Sequence, residues 1–72
     1  MIITFPARES RAALVARMAA DLVRYDAWRN KDDALRSLVF GCRYGSFEAV
    51  TYLDDARQLA MQSVVAREMA RP

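Results

Sequence analysis

Apolar side chains recur at helical spacing along most of the chain. Within residues 32–53, DDALRSLVFGCRYGSFEAVTYL, the side chains of Ala34, Leu35, Leu38, Val39 and Cys42 share one helical face, and Asp32 and Asp33 stand at its positive amino end. Gly45 offers the left-handed conformation that closes a helix. Ser46 offers a side chain that caps the next one, with Phe47 and Val50 facing back across the turn. The stretch predicts an αα-hairpin folded over Tyr44, Gly45 and Ser46.

The flanking segments continue the pattern. A first helix is predicted over residues 6–28, opened by Pro6, with Leu14, Val15, Met18, Leu22 and Tyr25 as its broad apolar face. Ala13, Ala16, Ala20, Val23 and Ala27 form a second line of small residues that would admit a close neighbour. Between the two, Asp21 lies within reach of Arg17 and Arg24 on a solvated face. Asn30 is placed to cap the second helix, and Trp28 to cover the core at that end. A third helix is predicted over residues 47–70, with a possible restart at Asp54 and Asp55. It has two apolar faces, one of Val50, Leu53, Ala60, Met61 and Val64, the other of Tyr52, Ala56, Leu59, Ser63, Ala66 and Ala70. Arg57 projects into the first of these and is expected to snorkel, to pair with Asp54 or to meet an acidic group on a partner.

The expected fold is therefore an all-α, three-helix domain with a central αα-hairpin and a short extended amino-terminal segment. In that segment, MIITF, Ile3 and Phe5 lie on the first helix or pair as a strand across a dimer or with a partner's sheet. The alternative is a βαββα arrangement, with residues 38–42 and 47–53 as a hairpin joined to a strand over residues 1–5. The stretch LVFGCRYGSFEAVTYLDDA resembles part of an ankyrin repeat, whose helix pair is joined by a similar Gly-polar-apolar-Glu turn. The likeness covers one unit with no second copy, so it implies only the hairpin geometry.

Composition changes the picture mainly by what it removes. The 72 residues make one domain, which at this size buries only about 60% of the surface exposed by its unfolded chain. Small domains usually need disulfides, a metal or oligomerisation. One cysteine and no histidine exclude an internal disulfide and most metal sites, which leaves a homodimer or a partner protein. Eleven Lys and Arg residues against nine carboxylates give a net charge of +2. The signs alternate along the chain instead of gathering into a basic stripe, as on an ordinary solvated surface. No apolar run is long enough to span a membrane and no signal segment opens the chain, so no membrane partner is expected and the location is expected to be cytoplasmic.

The same inventory argues against catalysis. Without histidine there is no imidazole base and no Ser-His or Cys-His couple. Cys42 is expected to be a structural thiol on the apolar face of the second helix. The two Asp-Asp pairs fit helix starts better than metal ligation, and neither glycine belongs to a phosphate loop, so no cofactor is expected. A helix-turn-helix DNA reader is the alternative, with Ser37, Gly41, Phe47 and Val50 at nearly the required spacing and Arg43 and Ser46 near the recognition helix. Against it stand Arg36 at a position the motif buries and Glu48 and Asp54 on the reading helix.

The main expectation is a non-enzymatic protein–protein interaction module, a homodimer, with contacts at Arg43, Tyr44 and Phe47 around the turn and at Tyr52 and Leu59 on the second face. In size and lack of catalytic groups the chain resembles, in kind and not in residues, small phage and mobile-element accessory proteins that inhibit host machines, anti-CRISPR proteins among them. A small structural subunit of a larger complex is a further alternative.

Overall fold

Ser10 opens the first helix, its hydroxyl accepting the Ala13 backbone N–H at 3.1 Å. The computed structural model describes residues 10–70, which fold as an all-α domain of three helices: α1, Arg11–Arg24; α2, Lys31–Arg36, running directly into a π-helical turn at Ser37–Gly41; and α3, Ser46–Ala70. The expectations for Ile3, Phe5 and Pro6 lie outside these residues. Residues 38–42 and 47–53, the hairpin of the βαββα alternative, are helical or in the turn after the π-helical segment, and no strand occurs among the described residues.

α1 stops a turn short of the predicted end. Asp26 takes a left-handed conformation (φ 55°), its N–H donating to the Val23 carbonyl at 3.2 Å while the Ala27 N–H donates to that of Leu22 at 2.9 Å. This pair of bonds is the Schellman closure, completed by buried Ala27 and Leu22 on either side of it. Asp tolerates the conformation better than most residues, so no glycine was needed to signal it.

α2 begins as expected, with the Asn30 side chain accepting from the N–H groups of Asp32 at 2.8 Å and Asp33 at 3.2 Å. Its end is not the expected one. The Cys42 N–H reaches back five residues to the Ser37 carbonyl, at 2.8 Å, and the Tyr44 N–H reaches back six to that of Leu38, at 2.9 Å. The left-handed residue that closes the helix is Arg43 (φ 62°), and Gly45 has no positive φ. Ser46 is the first residue of α3, preceded by Gly45, whose carbonyl accepts from the Ala49 N–H at 2.9 Å. α3 then runs through Asp54 and Asp55 without a break.

The core is thin and rich in alanine. Met18, Leu22, Leu38 and Leu53 supply its bulk, and Ala19, Ala27, Ala34, Ala49, Ala56 and Ala60 let the three elements approach closely. On α3 the buried line Ala49, Leu53, Ala56 and Ala60 divides both predicted faces. Leu53 and Ala60 from one and Ala56 from the other point inward, while Val50 and Met61 are exposed and Tyr52 and Leu59 only flank the core. The α1 seam is displaced in the same way: Ala13, Ala16 and Ala20 face solvent, and Ala19 makes the close approach.

Candidate interaction surface

The α2–α3 end presents an apolar surface around the π-helical turn. A π turn holds an extra residue and rotates the next side chains relative to a regular helix. Leu38 is fully buried and Leu35 and Val39 half-buried, whereas Phe40, two positions on from Leu38 and so on the far side of the helix from it, is left 78% exposed. It overhangs a groove of about 360 Å³ between α2 and the start of α3, lined by Leu35, Val39, Phe40 and Val50 with Asp32 and Arg36 at its rim. Phe47, 79% exposed, opens α3 beside it. Phe47 thus points outward instead of back across the hairpin, because Ala49 takes the buried position, and Val50, though largely exposed, borders α2 only at the groove.

The turn that carries this surface is anchored to α1. The Tyr44 hydroxyl donates to Asp21 Oδ2 at 2.6 Å, and the Arg17 guanidinium lies 5.2 Å from the centre of the Tyr44 ring. Asp21 serves this contact in addition to its place on the α1 charge line. Burial first, then the bond to Asp21, pushes the phenol up to about 12 from its ordinary 10.0. Cys42 lies beside the same carboxylate. It is half-buried among polar groups and not on the apolar face of a helix, and burial followed by the Asp21 charge raises its pKa. The thiol therefore stays protonated at neutral pH and is a poor nucleophile.

A second anchor holds the connection between α1 and α2. Arg57 Nε donates to the Trp28 carbonyl at 3.1 Å and an Nη to that of Arg29 at 3.0 Å. Arg57 therefore meets backbone acceptors instead of Asp54 or a partner's acid. Trp28 is half-buried against the core as expected, and the Arg29 guanidinium, ion-paired to Asp26, sits 4.7 Å from its ring.

The five residues expected to meet a partner do not form one surface. Arg43 and Phe47 are exposed at the turn, while Tyr44 is half-buried in its anchor. Tyr52 and Leu59 lie about 120–140° around α3 from Phe47. Tyr52 packs beside the core with the Arg11 guanidinium 5.5 Å from its ring, and Arg11 pairs with Asp55 at 3.1 Å. Leu59 borders a shallow groove with Ala12 and Val15. Phe40 was passed over by sequence reasoning, although regular helical spacing already sets it on the side of the second helix away from Leu38. The exposed set Phe47, Val50, Met61, Val65 and Met69 shares one sector at helical spacing, but the predicted faces divide it, with Val50 and Met61 on the first and Val65 and Met69 on neither.

Among the described residues no three His, Cys, Asp or Glu side chains gather as metal ligands, and no helix is long and apolar enough to cross a membrane. No protein-family model, curated protein or solved structure matches the chain. Function is therefore inferred from these residues alone.

Proposed function

We propose that the protein is a non-enzymatic interaction module that acts as a homodimer and docks on another protein through its α2–α3 end, occluding or bridging that partner. The observation that carries this is Phe40, 78% exposed on the wall of an apolar groove instead of being folded into a core that lacks bulk. An exposed aromatic next to a preformed pocket is the usual composition of an interface centre. Arg36 at the groove rim and Arg43 three residues beyond Phe40 form no ion pair among the described residues. The matching partner surface is an apolar side chain flanked by carboxylates. In its narrower form the module inhibits a host machine, as small phage accessory proteins do.

The DNA-reading alternative is less well supported. The positions such a motif keeps inside, Phe47 and Val50, are exposed, and α3 offers Glu48, Asp54 and Asp55 where a reading helix needs cations.

The test is affinity capture from the source lysate with nuclease present, comparing the wild-type chain with Phe40→Asp. A stoichiometric protein retained by the first and lost by the second, with helical circular dichroism unchanged, is the expected result. Equal retention by both removes Phe40 from the contact, and recovery of nucleic acid in place of protein when nuclease is omitted overturns the proposal.

A further inference from the structure

The outer side of α3, like its core side, carries large apolar side chains. At 100° per residue, Phe47, Val50, Met61, Val65 and Met69 fall within a sector of about 100°, opposite the buried line Ala49, Leu53, Ala56 and Ala60. They form a ridge about 33 Å long. Phe47 at 79% and Met69 at 81% are among the most exposed large apolar side chains of the protein, and Val50, Met61 and Val65 are each close to half exposed or more. Together they present on the order of 500 Å² of apolar surface, divided by Asp54 and Gln58 into a cluster at each end.

α3 also outruns the domain that supports it. From Met61 to Ala70 no residue is buried and only Val64 is half-buried, so residues 61–70 leave the core behind. A free helical segment of that length is marginal in water. A second helix laid along it supplies the missing support.

From these features we infer that the ridge pairs with the same ridge of a second copy, antiparallel, with Gln58 beside the two-fold axis. This rests on the self-association in the proposed function and assigns it a face. Three observations select the second copy and its direction. Four of the five ridge residues are matched about Gln58: Phe47 lies 11 residues before it and Met69 11 after, and Val50 lies 8 before and Val65 7 after, while Met61, three after, has Asp55 as its counterpart. A two-fold axis there sets Phe47 against Met69 of the other copy at both ends, which makes the contact isologous and closed. The polar middle agrees, because an antiparallel pair sets Gln58 near its own copy and Asp54 against Gln62. A parallel pair would set Asp54 against Asp54 and align the two helix dipoles side by side. The size also agrees, since the five apolar side chains with Thr51, Asp54, Gln58 and Gln62 between them approach the roughly 800 Å² per partner of a stable interface. Val50 belongs to both the ridge and the wall of the Phe40 groove, whereas Leu35, Val39 and Phe40 lie off the ridge, so each copy keeps most of its own groove for another protein.

The experiment is light scattering of the full chain at about 10–100 µM, a range that brackets about 5.5–7 kcal/mol of association. The expected mass is twice the 8.2 kDa of the chain. Val65→Asp and Met69→Asp should halve that mass while leaving helical circular dichroism intact. A wild-type monomer at the highest concentration overturns the pairing and the homodimer together. A Val65→Asp dimer overturns only this face. For direction, a 1:1 mixture of Phe47→Cys and Met69→Cys chains, each in a Cys42→Ser background, is oxidised. Disulfides between unlike chains are expected, and links between like chains alone overturn the antiparallel register. Unchanged capture of a partner protein by Val65→Asp would show that docking at Phe40 survives whichever way the pairing is decided.

Discussion

Tyr44 and Asp21, 23 positions apart in sequence, meet at 2.6 Å between the phenol and a carboxylate oxygen, and this bond ties the turn before α3 to the middle of α1. A hydrogen bond to a charged acceptor in a half-buried setting contributes about 1–2 kcal/mol. Tyr44→Phe should lower stability by that amount at neutral pH, read by chemical denaturation.

The same pair sets a pH dependence. The folded state holds the Tyr44 phenol neutral up to about 12, whereas the unfolded chain ionises it near 10.0. A raised pKa on an acid means that the unfolded state sheds its proton first, so the stability Tyr44 contributes is complete below pH 10 and is lost as pH rises toward 12. The difference in unfolding free energy between wild type and Tyr44→Phe should stay constant from pH 7 to 9.5 and shrink above that. A difference that stays flat to pH 12 would place the phenol in water. Asp21→Asn should bring the Tyr44 titration down without returning it fully to 10, because burial is the larger cause and remains.

The kind of interaction decided which parts of the fold were legible in the chain. The caps were local: Asn30 opens α2 because its side chain reaches two N–H groups within three residues, which the sequence displays directly. The helix ends were not, because Asp26 and Arg43 rather than Gly45 took the left-handed conformation, and nothing local marks an arginine for it. The faces of α3 were misdivided because apolar residues run almost all the way around the helix. The choice of Ala49 over Val50 for the core depends on how closely α1 and α2 approach, a tertiary fact. The residues proposed to bind a partner shared this weakness. Arg43 and Phe47 were deduced from their position near a turn, whereas Tyr52 and Leu59 depended on the rotation of α3 and flank its core.

Arg57 ties α3 to the connection between the first two helices through two carbonyls. Arg57→Ala should cost about 1–2 kcal/mol, and the loss should be local before it is global. Trp28 is the sole tryptophan and its own carbonyl is one of the two acceptors, so its fluorescence should shift to longer wavelength in the variant under native conditions, with helical content retained. Arg57→Lys should recover less than half of the loss, since one ammonium cannot span the two acceptors as a guanidinium does. An unchanged emission spectrum in Arg57→Ala would show that the connection is held by packing alone.

Arg43 is where stability and contact pull apart. Its backbone sits at φ 62°, a conformation that costs a residue with a side chain about 1–2 kcal/mol and glycine almost nothing. Arg43→Gly should therefore raise stability, by about 0.5–1 kcal/mol after the greater entropy of glycine in the unfolded chain is subtracted. In a domain of this size that is a rise in Tm of roughly 2–8 °C. The same substitution removes a guanidinium from the edge of the Phe40 surface and should weaken capture of the partner that Phe40 retains. Arg43→Ala separates the two effects: it keeps a side chain in the left-handed conformation and so should gain no stability, yet it should weaken capture as much as glycine does. Equal capture by wild type, Arg43→Gly and Arg43→Ala would confine Arg43 to closing the helix, at a cost that glycine would avoid.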